Sequence, residues 1–224
     1  MSLHRMLRQR QEAGKPLRVG VIGAGKFGTM FLAQARRTPG IHLVGLADLS
    51  VPRAREALAR TGWPAERTEA RSLDDAVKTG GTHVGADVDA LIGHPEIEII
   101  VEVTGNPTAA VSHALKAFAA GKHVVNVTVE ADAFCGPLLA RRAEEAGVVY
   151  SLAYGDQPAL ICDLVDLART AGFDVVSAGR GHKWLPHFAA STPDTVWKYY
   201  GLTEEQARLG GLNPQMFNAF LEGS

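Results

Sequence analysis

The run LRVGVIGAGKFGTMFLAQAR, residues 17–36, constrains this chain more than any other segment. Its apolar, β-branched start reads as a buried strand over Leu17–Ile22, and its later part reads as a helix over Phe27–Arg37. Between them stands Gly23-Ala24-Gly25-Lys26-Phe27-Gly28, a G-x-G-x-x-G. Each glycine has a physical task there. Gly23 makes the tight turn, Gly25 lets the backbone approach a pyrophosphate, and Gly28 lets the helix pack close to the strand. Phosphate oxygens would sit on the free N–H groups at the positive end of that helix, where Lys26 and Phe27 form the first turn. Such glycines also occur in ordinary strand-to-helix turns. What raises this pattern above that is Asp48, an acid at the end of the next strand, twenty residues past Gly28. It is suited to accept from ribose hydroxyls; its bland alternative is a cap for a helix over Val51–Thr61.

From Leu17 onward, short β-branched runs alternate with longer Ala/Leu/Arg stretches of period 3.6, which argues for β-α-β units around a parallel sheet. Strands are expected at Leu17–Ile22, His42–Ala47, Glu98–Val103, His123–Val127 and Val148–Leu152, with a weaker one near Thr82–Val84. The helices between them are Phe27–Arg37, Val51–Thr61, Pro107–Ala120 and Ala133–Ala146, and the Trp/Pro/Gly-punctuated stretch Gly62–Gly93 has room for two more, at Leu73–Thr79 and Asp87–Ile92. Ahead of these, Leu3, Met6 and Leu7 mark a short amphipathic helix within residues 1–16. After Tyr150 the pattern changes to a loop, a helix over Pro158–Ala171 and a strand over Asp174–Ala178, followed mainly by helical pieces at Pro193–Tyr200, Thr203–Leu209 and Pro214–Leu221. A single strand cannot make a stable sheet. The expected fold class is therefore α/β, a Rossmann-type doubly wound parallel sheet with an incomplete second domain. The expected divisions are an N-terminal helix over 1–16, a dinucleotide-binding domain over 17–153 and the start of a substrate domain over 154–224.

Composition excludes several classes of partner. With 23 Lys+Arg against 24 Asp+Glu the chain has no general pull toward nucleic acid or anionic lipid. No apolar run reaches the ~18 residues of a membrane span. The two cysteines, Cys135 and Cys162, have no metal-type spacing and suit a reducing cytoplasm, where they fill apolar space. His94, His113 and His123 read as surface or packing residues, and Trp197, Tyr199 and Tyr200 as helix packing. Around the expected ribose site, Ser50, Arg53 and Arg55 follow Asp48 closely. The acid alone favours NAD, whereas an arginine there can hold the 2′-phosphate of NADP. Both arginines can equally be a solvated helix face.

The segments VGVIGAGKFG, VEVTGNP, ALKAFAAGKHVVNVTVEAD and GVVYSLAYGDQPALI, with GRGHKWLP and GGLNPQMF further on, resemble the homoserine dehydrogenase-like oxidoreductases. The later segments are most similar to the subgroup whose longer members carry a SAF domain and which includes 1-deoxy-D-xylulose 5-phosphate reductoisomerase-like enzymes; the chain is expected to correspond to their N-terminal part. The resemblance implies an NAD(P)H-dependent oxidoreductase acting on a small anionic carbonyl substrate, with NADP the favoured cofactor and NAD the alternative. It leaves a divalent metal and a homo-oligomer open. It puts Thr104, Gly105 and Asn106 near the ribose and nicotinamide, although Asn106-Pro107 also reads as a helix start.

Homoserine dehydrogenases close the strand after GKHVV with an Asn-Lys pair, and this chain has Asn126-Val127-Thr128-Val129-Glu130 instead. Glu130 is then a candidate for proton transfer or a metal, or simply an acid favoured at a helix N-terminus. Asp156, in the crossover Ala153–Pro158, is a base or metal ligand, or an N-cap. Gly179-Arg180-Gly181-His182-Lys183-Trp184 gathers cationic groups suited to an anionic substrate, or forms a solvated basic turn. Lys183 is the candidate polariser of a substrate carbonyl and His182 the fallback acid or base, and both are expected to share an interdomain cleft with Asp156.

Overall fold

A computed structural model describes residues 2–155, 157–179, 185–209 and 212–222. The chain divides into two compact units, residues 1–154 and 155–224. In the first, α1 (Leu3–Glu12) precedes β1 (Leu17–Ile22), α2 (Lys26–Ala35), β2 (Ile41–Ala47), α3 (Val51–Arg60), α4 (Leu73–Thr79), β3 (His83–Gly85) and α5 (Val88–Gly93). Then come β4 (Ile99–Glu102), α6 (Pro107–Ala119), β5 (His123–Asn126), α7 (Val129–Glu145) and β6 (Tyr150–Leu152). The six strands form one parallel sheet in the order β3-β2-β1-β4-β5-β6. That order reverses direction between β1 and β4, which makes the carboxyl ends of those two strands the switch point of a doubly wound sheet.

Burial on both faces explains why the strands are continuously apolar rather than alternating. Val19, Val21, Leu43 and Val101 face the side covered by α2 and α3, with Leu32, Ala54, Ala57, Leu58 and Trp63. Ile22, Val44, Ile100 and Val124 face the other side, with Leu91, Ile92, Ala114, Ala117, Phe118 and Leu139. Gly20 and Gly45 are paired across β1 and β2, and a methyl group on Gly45 would run into Leu91 and Leu73, so these glycines let α4 and α5 sit directly on the sheet. The shared register aligns Gly85, Ala47, Ile22, Glu102, Asn126 and Leu152 in one row, so everything that follows each of them emerges along one edge.

The helix after β5 begins at Val129, four residues before the position that periodicity predicts. Cys135 has φ −147° and ψ 23°, and Pro137 lies inside the helix, so α7 is two helical pieces joined at a kink. The local pattern is legible only in the second piece.

The second unit contains α8 (Gln157–Thr170), α9 (Val196–Tyr200), α10 (Glu204–Leu209) and α11 (Pro214–Glu222). Its small core joins Phe188, Val196, Trp197, Ala207 and Leu221, with Tyr199 and Phe217 against them. Tyr200 meets Phe217 edge-on, so the aromatic run is packing, as its spacing suggests. The strand expected at Asp174–Ala178 does not form: residues 173–179 have no regular structure and Val176 is 97% exposed. Without a neighbouring strand among the described residues, its β-branched pair has nothing to ladder with. No helix among the described residues is long and apolar enough to cross a membrane.

Candidate functional site

The turn that leaves β1 has the three glycine geometries that its sequence calls for. Gly23 has φ +111°, and a Cβ there would lie 2.8 Å from the carbonyl oxygen of Val103. A Cβ on Gly28 would lie 2.5 Å from the carbonyl oxygen of Gly23, which is why α2 can approach the turn so closely. Gly25 is different: a Cβ on it meets nothing within 4 Å, and the residue is exposed. Gly25 is the N-cap of α2 and offers no side chain to the first-turn N–H groups, so the positive end of the helix opens onto free space. Lys26 and Phe27 start the helix, and Phe27 is 49% exposed.

Asp48 follows β2 and is 5% exposed. One carboxylate oxygen accepts from the Ala24 N–H at 2.7 Å and the other from the Ser50 N–H at 2.8 Å. The Arg53 guanidinium bridges both oxygens, at 2.7 and 2.9 Å, while its own side chain stays 58% exposed. Asp48 therefore ties the glycine turn to the start of α3 and carries Arg53 on its outer side. It is not the cap of that helix; the Ser50 hydroxyl is, accepting from the Arg53 N–H. Arg55 reaches the Thr68 carbonyl rather than Asp48.

On the other side of the switch point, Thr104, Gly105 and Asn106 connect β4 to α6 and are exposed. Gly105 has φ +68°. The Asn106 side chain accepts from the Ala109 N–H at 3.0 Å, so its helix-capping role is real. Beneath this loop lies Glu102, which is fully buried. Its carboxylate accepts from the hydroxyls of Thr104 and Thr128 and faces His113 Nδ1 at 3.3 Å. His113 is thus not a surface residue but the partner of a buried acid, while His94 pairs with Asp74 and His123 accepts from the Val149 N–H.

Glu130 lies in the first turn of α7, just past the carboxyl end of β5, as a helix-terminal acid would. Beside it in sequence, Asn126 donates to the Thr128 carbonyl and to the Tyr150 hydroxyl, and Tyr150 donates to Asp132 at 3.1 Å. Burial, reinforced by the Asp132 charge, pushes the Tyr150 hydroxyl up, so it stays a neutral donor. Glu102, Thr128 and this Asn-Tyr-Asp chain escape sequence reasoning because no motif links residues that meet only across the sheet edge. The candidates Asp156, His182 and Lys183 lie outside the described residues. Among the described residues no three His, Cys, Asp or Glu side chains cluster as a metal site would require.

Residues 17–126 match a family model described as "Oxidoreductase family, NAD-binding Rossmann fold". The first unit has the α/β Rossmann-type fold that this description names. Residues 155–224 of the second unit match a model described as "Oxidoreductase DRL, catalytic domain". A homoserine dehydrogenase of Pseudomonas aeruginosa is 31% identical over 137 residues, which make up 60% of this chain and 28% of that protein. The chain thus spans well under half the length of the curated relative it matches. Among solved structures, an NAD-binding oxidoreductase from Klebsiella pneumoniae aligns with 21% identity and a TM-score of 0.49, covering 70% of this chain and 39% of that one. A homoserine dehydrogenase from Thiobacillus denitrificans aligns with 26% identity and a TM-score of 0.45, covering 65% and 30%.

Proposed function

We propose that this chain transfers hydride between NADP(H) and the carbonyl carbon of a small anionic substrate. The observation that carries the reading is the open space around Gly25 at the switch point, a cradle in which a pyrophosphate meets the N-terminus of α2, whose N-cap has no side chain to bond it, and into which a side chain at position 25 would project. In this reading the first-turn N–H groups of Lys26, Phe27 and Gly28 hold the phosphates. Thr104, Gly105 and Asn106 flank the nicotinamide ribose. The bound cofactor supplies the hydride, and the protein supplies orientation and charge.

The choice of NADP over NAD rests on the Asp48–Arg53 pair. Both carboxylate oxygens already accept from Arg53 and from backbone N–H groups, so a ribose hydroxyl would have to displace a bidentate partner. A 2′-phosphate would instead meet the exposed outer edge of the guanidinium. The anionic substrate is inferred from the cationic residues Arg180, His182 and Lys183 of the sequence, which fall, with Asp156, within the catalytic-domain match. We assign Lys183 to polarise the carbonyl, with Asp156 as base, Glu130 as a further acid, and His182 as alternative acid or base. A reductoisomerase-like version would place a divalent cation on the substrate's oxygens, drawn to Asp156 or Glu130.

Titration calorimetry with NADPH and NADH tests the cofactor half, and oxidation of NADPH across a panel of phosphorylated ketoses and semialdehydes tests the substrate half. Binding of neither nucleotide below millimolar concentration refutes the reading. The homoserine dehydrogenase likeness favours aspartate semialdehyde as a second candidate in that panel. Against it, the side chain of Asn126, the one member of the Asn-Lys pair retained, is spent on Thr128 and Tyr150.

A further inference from the structure

Glu102 is the last residue of β4, in the same register row as Ile22 and Asn126; it is fully buried, and among the described residues no arginine or lysine pairs with it. A carboxylate in that position is costly unless donors surround it. The donors here are two hydroxyls. Thr104 Oγ1 donates to one carboxylate oxygen at 2.7 Å and Thr128 Oγ1 to the other. A hydroxyl has one proton, so giving it to the carboxylate leaves only lone pairs for its other contacts. Each hydroxyl uses one of them. Thr104 Oγ1 accepts from the Asn106 N–H at 3.2 Å, and Thr128 Oγ1 accepts from the Gly105 N–H at 3.0 Å. The negative charge therefore orients two hydroxyls, and the two hydroxyls hold two successive N–H groups of an exposed loop whose Gly105 has positive φ. His113, reaching in from α6, is the remaining polar group on the carboxylate.

We propose that Glu102 is a positioning residue for the cofactor. Through Thr104 and Thr128 it fixes the 104–106 loop against the nicotinamide half of the dinucleotide, without touching the cofactor itself. This rests on the dinucleotide reading. It follows from the strand order: Asp48, after β2, lies on one side of β1 and the 104–106 loop, after β4, lies on the other, so a dinucleotide spanning the switch point has its second half over that loop. The carboxylate matters for its charge and not only its shape. Glu102→Gln puts an NH₂ where one oxygen was, and that group can only donate. The threonine facing it would have to turn its proton away and accept from the NH₂ with its second lone pair, so its proton loses the carboxylate that oriented the hydroxyl toward the loop.

The test compares two ligands. ADP, used as its 2′-phosphorylated form where NADPH is the tighter ligand, carries the adenine ribose and both phosphates, whereas the tighter-binding of NADPH and NADH adds the nicotinamide riboside. For Glu102→Gln and for Thr104→Val, the dissociation constant of the full dinucleotide is expected to rise at least tenfold while that of ADP stays within twofold. Thr104→Ser, which keeps the hydroxyl, should bind the dinucleotide within threefold of the unaltered chain. Thr104 is exposed, so its variants remain informative if Glu102→Gln does not fold. Equal weakening of both ligands would mean that Glu102 only supports the fold, and an unchanged dinucleotide affinity in Thr104→Val would mean that the loop contributes no binding. Either outcome overturns the proposal. If the unaltered chain binds neither ligand, the dinucleotide reading fails instead, and this inference with it.

Discussion

Replacing Gly25 by Val separates binding from folding. Gly25 has φ −72° and ψ −160°, extended backbone that a β-branched residue adopts readily, and its Cβ would meet nothing within 4 Å. The change at the N-cap and in unfolded-chain entropy should therefore move stability by no more than about 1 kcal/mol, or about 4 °C in Tm for a chain of this size. Binding is another matter. A valine side chain fills the space through which a pyrophosphate reaches the first turn of α2. Each N–H bond to a charged oxygen contributes about 1.5–3 kcal/mol, so losing two weakens binding by roughly 10²–10⁴-fold. Calorimetric titration with NADPH and thermal unfolding followed by circular dichroism measure the two quantities on one sample. Gly28→Val is the contrast, because its Cβ would lie 2.5 Å from the Gly23 carbonyl oxygen and the fold itself must give way. Two results would refute the reasoning: NADPH affinity within about threefold of the unaltered chain, or a Gly25→Val protein that unfolds as easily as Gly28→Val.

Three further outcomes are expected. Arg53→Ala removes a phosphate partner and frees Asp48 for a ribose hydroxyl, so the NADPH/NADH affinity ratio should fall at least about fivefold, close to 1 kcal/mol for a contact this exposed; a ratio within twofold excludes Arg53 as the reader. Lys183→Ala should lower kcat/KM by about a hundredfold, on the order of 3 kcal/mol of transition-state stabilisation, with NADPH affinity intact; lost cofactor affinity at undiminished turnover would reassign Lys183 to the nucleotide. His42 is held below its ordinary value of 6.5, first by burial and then by the charges of Arg18 and Arg67, while its Nε2 donates to the Gly81 carbonyl. Its unfolded form binds the proton more readily, so stability should be fully present above pH 6.5 and fall as pH drops toward the lowered folded value. Urea unfolding of the first unit between pH 7.5 and 5 checks this. His42→Gln, which keeps a donor but cannot titrate, should show the shallower loss, and parallel curves would count against it.

The fold was legible where local and tertiary demands coincide. Strands β1 and β2 are buried on both faces, so their apolar runs mark them directly, and Ser72, Asp87 and Asn106 announce the starts of α4, α5 and α6 by the backbone N–H groups they accept. Legibility failed in two places for different reasons. In α7, Pro137 and the Cys135 kink interrupt the 3.6-residue period, and the turn before them is helical only because Thr128 and the sheet edge hold it. At residues 174–178, β-branched propensity had no neighbouring strand to act with, and propensity alone does not make a ladder.

The site divides along the same line. Gly28 packs on the Gly23 carbonyl and Gly25 caps the helix between them, so a short motif carries most of the geometry, although Gly23 also makes room for the carbonyl of Val103 just past β4. Asp48 is an intermediate case: its position at a strand end was readable, but Arg53 at five residues' distance could serve it or solvent equally well until the guanidinium was seen bridging both oxygens. Glu102 lies at the far end of this scale. In sequence it is one acid within an apolar strand, the kind of residue that breaks the pattern of buried β4 without naming a partner. Its reason for being there comes from Thr128, 26 residues later, and His113, 11 residues later, both brought to it by the single crossover from β4 through α6 to β5. A buried charge that violates the local rule is where function should be sought, since only a requirement outside the strand justifies the desolvation. The loop it clamps, at the carboxyl edge of the switch point, is that requirement.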